Sequence, residues 1–525
     1  MPVTRKIKVG YGGALTYVLN ASTGLYTLTG ETASLSESTG ATFDFYISTT
    51  GSDTNPGTLA SPWAITAINS KQATYVGKRL GLLPGTYDVH SLMGTNESVS
   101  ALTLAGGTDL THLTYIGSSD SGGNYSRGAA TLDAKGSSGF YGGANANQSP
   151  ILAARSGANF WTVDGLRFIG FSMWAFHVGN SPGGGSAPHD WTIQNCEFTG
   201  GNGQSATGTS GVNCGMIIIY CSQNGTVTNN WFHDNVATSD TQHWSCVYQW
   251  SLGSTDKTFN TQYTHNTIVK SGNLHGKEGG PPSDPNQFNT TIAYNYIDMS
   301  SQVATSEYCG SAIEGFMSTG SDAGATLTSW HHNVIRANGM ALSFDNDNPS
   351  HSFVNYPLTV YNNTVVVVGQ QTSGFLNGGY SSAWVNGGLA NKVSWYNNLY
   401  YDNGVTTGSY GYWLTNVDTF ALCDYNIYGT QNKFNTLPSG SNTSAGLTAR
   451  NSLALWAAAI GGLEAHSSTN STNPFTNNGT YADQYQVLSG SPAFGTGKVG
   501  GVVGGASINV GAWDGSGRPG ASWVS

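Results

Sequence analysis

A chain of 525 residues with 9% charged positions, 38% hydrophobic residues and 72 glycines holds too much apolar residue for a disordered polymer and too few charged helix formers for long helices. Such a composition supports short strands joined by many turns. The formal net charge is −10 and the 19 Lys plus Arg are scattered, which excludes the basic stripe that phosphate binding needs; no stretch approaches eighteen consecutive apolar residues, so neither a nucleic-acid partner nor membrane insertion is expected.

The first forty residues read as a separate unit. LTYVLNASTGLYTLTGETASL alternates apolar and polar residues around Thr-Gly turns, which predicts a small N-terminal β-module over 1–40. The opening MPVTRKIKVGYGGALTYVLN lacks the apolar run of a secretory signal, so export by a visible signal peptide is not expected. Next comes FYISTTGSDTNPGTLASPWAITAIN, then GLLPGTYDV, where Gly, Pro and Asp mark turns around one short helix. Six cysteines (Cys196, Cys214, Cys221, Cys246, Cys309, Cys423) form no CxxC pair; buried, strand-borne thiols are expected of most, with no zinc knuckle.

Between residues 160 and 429 nine segments align: FWTVDGLRFIG, DWTIQNCEFTG, GTVTNNWFHDN, TQYTHNTIVKS, TTIAYNYIDMS, LTSWHHNVIRA, LTVYNNTVVVV, KVSWYNNLYYD and ALCDYNIYG. One column reads Leu166, Cys196, Asn230, Asn266, Asn295, Asn333, Asn363, Asn398, Asn426. Three residues earlier stand Val163, Ile193, Val227, Tyr263, Ile292, Trp330, Val360, Trp395 and Cys423; two residues later stand Phe168, Phe198, Phe232, Ile268, Ile297, Ile335, Val365, Tyr400 and Tyr428. The alternation is of period two, and the steps along the column vary between 28 and 38 residues. A short strand, a bend at Asn and a second short strand fit this pattern, with loops of unequal length inserted per coil. Asn is expected to adopt the bend conformation and to bond to the Asn of the next coil.

The Asn column resembles the asparagine ladder of the pectate-lyase-like right-handed parallel β-helix superfamily. The opening stretch is similar to that of many β-helix polysaccharide lyases at Tyr46, Gly51, Asp53, Asn55, Pro56, Gly57, Ser61, Pro62, Trp63, Pro84, Gly85 and Tyr87, and VLSGSPAFGTG with INVGAWDGSGRP is similar to their closing segments. The resemblance implies an all-β, single-stranded right-handed parallel β-helix over 41–435, with an irregular closure and final strands over 436–525. The N-terminal module resembles short segments of phage and prophage proteins, which would make it an attachment segment. The resemblance implies an extracellular or virion-associated location, and a monomer, or a homotrimer if the chain is a tailspike.

The strand after each Asn bend and loop is the expected substrate wall: WAFHVG, GMIIIY, CVYQW, NLHGKEGG, SAIEGF, ALSFDND, GFLNGG, YWLTN. With Leu274, Ile313 and Leu342 inward, alternation puts His275, Lys277, Glu314 and Asp345 outward. A lysine and two carboxylates on successive strands suit β-elimination on a uronate polysaccharide, which needs a base for the C5 proton, neutralisation of the carboxylate and an acid for the leaving oxygen. Glu278, Glu314, Asp345 and Asp347 are oxygen donors of the kind Ca²⁺ takes, and a lysine base with an acidic calcium site is what the resemblance to some β-helix lyases implies. His275 joins the candidate catalytic set; Trp250, Tyr248, Tyr220, His177 and Arg336 are candidate substrate contacts. Two other classes stay open: a glycoside hydrolase or tailspike depolymerase working with paired carboxylates, and a non-catalytic glycan-binding adhesin that stacks sugars on aromatic side chains.

Overall fold

Runs such as WTVD, RFI and FHV are rich in β-branched and aromatic residues, yet too short to hold a sheet alone. They persist only when stacked on their counterparts in neighbouring coils. The computed structural model describes residues 4–9, 13–19, 26–31, 42–93, 100–135, 149–171, 174–179, 187–201, 213–220, 222–235, 243–250, 260–279, 290–301, 312–318, 328–337, 341–346, 358–368, 380–381, 383–385, 393–402, 409–412, 420–429, 433–436, 448–477, 480–503, 505–513 and 518–524. For the strand residues in 4–31 and for 213–215, 243–244, 250, 273, 275–279, 314–318, 328, 343–346, 380–381, 383–385, 402, 409–412, 433 and 435 it describes the backbone alone.

Each coil gives one strand to each of three parallel sheets. Trp161–Asp164 lies in sheet 2, Arg167–Ile169 in sheet 3 and Phe176–Val178 in sheet 1, and His189–Gln194 then pairs with Trp161–Asp164 to start the next coil. Sheets 2 and 3 have 12 strands each and sheet 1 has 9. The fold is a single-stranded parallel β-helix, right-handed as parallel crossovers are. Its first coil is covered by two one-turn helices, Ala67–Ser70 and Gln72–Tyr75. Thr4–Val9, Gly13–Leu19 and Tyr26–Glu31 pair antiparallel in a separate three-stranded sheet. Sheet 3 continues past residue 435, since Ser468–Asn470 pairs with Ile427–Gly429. No helix among the described residues is long and apolar enough to cross a membrane.

The two apolar columns of the repeat are the inner faces of sheets 2 and 3. Val163, Ile193, Val227, Tyr263, Ile292, Trp330, Val360, Trp395 and Cys423 stand in continuous register. Phe168, Phe198 and Phe232 stack at 4.9 and 4.8 Å. Trp161 and Trp191 stack at 5.4 Å, and the Trp191 ring overlies Gly225, where a Cβ would stand 2.1 Å from the indole. Cys196, Cys246 and Cys423 are buried free thiols; burial pushes the first two well above the usual thiol range.

The ladder asparagines Asn230, Asn266, Asn295, Asn333, Asn363, Asn398 and Asn426 are wholly inaccessible. Each Nδ2 donates forward to the next Oδ1, at 3.0 Å from Asn230 to Asn266 and 2.9 Å from Asn295 to Asn333, and backward to a carbonyl of the preceding coil, as Asn333 does to Ile292 at 2.9 Å. Each Oδ1 from Asn266 onward also accepts the main-chain N–H of the previous Asn, as Asn333 accepts from Asn295 at 3.0 Å. An amide has two donors and two lone pairs, so all four are used. The surplus donors at the far end go to Glu464, which accepts from Asn426 Nδ2 at 3.3 Å, Tyr428 at 2.6 Å, Trp456 at 3.2 Å and Ser467.

The bend itself differs from the expectation. Positive φ falls on the residue before each ladder position: Gly165, Asn195, Asn229, His265, Tyr294, His332, Asn362, Asn397 and Tyr425, with φ of 52–69° at these sites. The ladder Asn has ordinary φ, because its side chain must point inward to reach its neighbours, and the preceding residue turns the chain. These turning residues form a second column outside the helix, in which Tyr294 stacks between His265 at 4.9 Å and His332 at 4.7 Å. At its start Asn229 donates to Asn195 and Asn195 to Asp164, the latter at 2.7 Å. Asp164 also accepts from Tyr115, Tyr125 and Gln194. Inner and outer amide chains run in opposite directions, and each ends on a buried carboxylate.

The closing segment returns along the outside of sheet 3. Phe475, Ala482, Tyr485, Ala493, Val510 and Ala512 make a second core with Tyr296, Val334, Val366, Leu399 and Ile427. Gly511 N–H donates to Asn397 O, Ala512 N–H to Thr364, Gly520 N–H to Tyr294 O, Ala521 N–H to Thr267 and Ser522 N–H to Asn229 Oδ1. The strap therefore travels from a late coil back to an early one.

Candidate active site

Sheet 1 carries the candidate chemistry, and its inner row is apolar throughout. Leu102, Leu152, Phe176, Ile217, Val247, Leu274, Ile313 and Leu342 pair in sequence and are all buried. Strand alternation then fixes two rows of opposite parity. The first runs His177, Ile218, Tyr248, His275, Glu314, Ser343; the second, two residues further along each strand, runs Tyr220, Trp250, Lys277, Phe316, Asp345.

Lys277, Glu314 and Asp345 share parity on three successive strands, but they do not form one row. Lys277 and Asp345 flank Phe316, about 10 Å apart in backbone position, while Glu314 pairs with His275 and sits about 8 Å from Lys277. Glu278 has the parity of buried Leu274 and pairs with Met317, so the four expected calcium donors do not stand together: Glu314 and Asp345 share one parity, Glu278 takes the other, and Asp347 lies outside the described residues. For His275, Lys277, Glu278, Glu314, Asp345 and Trp250 the side chains also lie outside what is described. Among the described residues no three His, Cys, Asp or Glu side chains cluster as for a metal ion.

The other expected contacts are placed differently from the reading of the sequence. Tyr248 and His177 have no accessible surface and Tyr220 is 6% exposed, so none offers an open ring for a sugar. Arg336 belongs to sheet 3, where it donates to Asp298 Oδ2 at 2.9 Å and Ser300 Oγ at 2.8 Å. That is another wall of the helix, under the closing segment.

One basic residue of sheet 1 was missed. Arg155 follows Leu152–Ala154, and Ala154 pairs with Val178 as Val178 pairs with Ile219. Arg155 therefore stands at the lateral position of Tyr220, Trp250 and Lys277. Its Nη1 donates to His177 Nδ1 at 2.9 Å. Since a guanidinium only donates, the imidazole proton must be on Nε2. Burial, reinforced by the Arg155 charge, holds His177 well below the usual histidine range. His177 lies edge-on to Trp174 at 5.7 Å and Tyr220 at 5.2 Å. The sequence signal was faint, because this coil precedes the first ladder Asn and offers no column to register it.

No family profile matches the chain, and no curated protein does. Solved structures do. The crystal structure of pectate lyase Pel9A aligns over 90% of this chain and 96% of its own, with TM-score 0.48 and 13% identity. The polygalacturonase of Erwinia carotovora ssp. carotovora aligns over 72% and 97%, with TM-score 0.41 and 11% identity. A rhamnogalacturonan lyase aligns over 70% and 84%, with TM-score 0.34 and 14% identity. The likeness is one of fold.

Proposed function

We propose that this protein is a carbohydrate-active enzyme that cleaves an acidic, uronate-containing polysaccharide by β-elimination on sheet 1. The reading is supported by one observation above all: in a chain with 9% charged residues, Lys277, Glu314 and Asp345 share one strand parity on three successive strands. Lys277 would remove the C5 proton. Nearby carboxylates raise a lysine pKa and burial lowers it, so a usable base needs the carboxylate field offset. Glu314 and Asp345 are the pair that would hold Ca²⁺; when bound, the cation would neutralise the substrate carboxylate and make the C5 proton more acidic. His275, beside Glu314, is the candidate proton donor to the leaving oxygen.

The test is incubation with a panel of uronate polysaccharides, following ultraviolet absorbance of the unsaturated product with and without chelator. Wild type is expected to generate absorbance that chelator suppresses, and Lys277→Ala to lose at least a hundredfold in kcat. New reducing ends without absorbance would mean hydrolysis by a Glu314 and Asp345 pair; binding with neither would mean an adhesin. Full activity in Lys277→Ala would overturn the assignment.

A further inference from the structure

Phe232 points into the core, so period two turns its neighbours Trp231 and His233 outward from sheet 3. Their rings stack at 3.8 Å. They lie where the returning chain ends. Trp523 meets Trp231 edge to face at 5.8 Å, its Nε1 donates to Asn229 O at 2.7 Å, and the Ser522 N–H donates to Asn229 Oδ1 at 2.6 Å. Trp231 thus touches both His233 and the C-terminal tail.

The imidazole is bracketed by acceptors. Its Nε2 lies 3.0 Å from Glu197 Oε1 and its Nδ1 2.9 Å from Asp234 Oδ2. Ionised carboxylates only accept, and a neutral imidazole has one N–H, so this geometry takes the doubly protonated ring. The side chains of His233 and Glu197 are 14% and 17% exposed, against 61% for Asp234. Glu197 is therefore the firm partner, and Asp234 the one that can turn to solvent. The other groups around the ring come from three elements. On the preceding strands Thr199 Oγ1 is 3.4 Å from Nδ1, and Arg167 Nε is 2.9 Å from the same Glu197 oxygen. On the following strand Val269 carries no charge, and Lys270 beyond it reaches Asp234 at 3.8 Å. On the tail's side Arg127 stands 4.4 Å over the Trp523 ring. Although burial opposes it, the bonds to Glu197 and Asp234 hold His233 above the ordinary histidine range. Its stabilising contribution is therefore complete below about pH 6.5, the ordinary value, and is lost as pH rises through the higher folded one.

We infer that His233 is a pH-sensitive anchor for the C-terminal tail: as imidazolium it holds the Trp231 indole against Trp523, and on losing its proton it loosens residues 520–524 from sheet 3. A cation stacked on an indole face is stabilising. The neutral ring forfeits that attraction and keeps only one of its two carboxylate bonds. Thr199 can then turn its hydroxyl to the bare Nδ1, so the coil itself stays folded and the change is confined to Trp231 and what rests on it.

The experiment uses the full chain, with hydrogen exchange followed from about pH 6 to about pH 9 and corrected for the chemical exchange rate, and with the His233 ring titrated by NMR. Opening at the Ala521 and Ser522 amides is expected to rise about fivefold as His233 loses its proton, while amides of the core strand Leu358–Tyr361 show no such rise. Coupling is reciprocal, so Trp523→Ala should lower the His233 midpoint by about 0.7 pH unit, the same fivefold. His233→Gln should open the tail about fivefold already at the acid end and show no further rise; His233→Phe, which keeps a ring but no charge, should behave alike. Should either variant fail to fold, the wild-type profile and the Trp523→Ala midpoint decide. A tail profile parallel to that of the core, or a midpoint unmoved by Trp523→Ala, would overturn the inference.

Discussion

Replacing Asn333 by Ala should be among the most destabilising single changes in the helix. Asn333 Oδ1 accepts the Asn295 main-chain N–H at 3.0 Å and its Nδ2 at 2.9 Å, while Asn333 Nδ2 donates to Ile292 O at 2.9 Å and to Asn363 Oδ1 at 2.9 Å. Alanine keeps the main-chain bond from residue 333 to Asn363, but leaves two buried donors on Asn295 without their acceptor. At about 1–3 kcal/mol for each of the two orphaned donors, the loss is about 2–6 kcal/mol. Urea unfolding followed by tryptophan fluorescence measures it through the midpoint, provided the slope is unchanged. The control is Cys196→Ala at an equivalent point of the column, where the thiol contributes no acceptor to the ladder and the expected cost is about 1 kcal/mol. Because Asn333 and Asn363 share a bond, the double alanine variant should lose less than the sum of the two. A cost for Asn333→Ala no larger than that for Cys196→Ala would refute the ladder as an energetic unit.

Acid should weaken the fold through its buried histidines. Burial, with a smaller effect from His332, pushes His265 down to about 4, so the unfolded chain takes up this proton near the ordinary value of about 6.5 while the folded chain resists. Its stabilising contribution is complete above about pH 6.5 and is lost as pH falls towards 4, roughly 3 kcal/mol in all; His177 acts in the same direction. His265→Asn should flatten the acid limb of a stability-against-pH curve, and an unaltered limb would count against the assignment. Arg518 pairs with both Asp483 oxygens at 2.9 Å and donates to the carbonyls of Ala521 and Val524. Arg518→Ala should cost about 1–3 kcal/mol and speed hydrogen exchange at the Ala521 and Ser522 amides; unchanged protection would show that the strap does not depend on this ion pair. The outcome for Lys277→Ala bears on the chemistry itself.

The ladder was legible because one residue type recurs at one position while the loops around it vary in length. The turning residue beside it was not legible. Its column mixes Gly, Asn, His and Tyr, and positive φ is uncommon for aromatic side chains. The stacking of His265, Tyr294 and His332 accompanies this conformation and is a contact between coils, which no single segment displays. Alternation from Leu274, Ile313 and Leu342 placed Lys277, Glu314 and Asp345 at one parity, but which residue pairs with which depends on where each strand begins after its loop. Register therefore set Glu314 against His275 and Asp345 against Phe316. Arg336 was attractive as a lone arginine in a repeat, and it lies on sheet 3 because it is two residues beyond Val334, the first residue of a sheet 3 strand. Burial of Tyr220 and Tyr248 was equally hidden, since period two separates the faces of a strand without saying whether the outer face is covered.

The returning strap also bears on how the molecule comes apart. A solenoid whose repeats touch only their neighbours can fray from either end, one coil at a time. Here the bond between Ser522 and Asn229 joins residues 293 positions apart, and it can form only after the intervening coils have stacked. Such a clasp adds little to the rate-limiting search, because it closes late, and it must open before the middle coils can peel away. The consequence is a helix that resists slow unravelling more than its rung-by-rung bonding would suggest, with its kinetic durability concentrated at the latch.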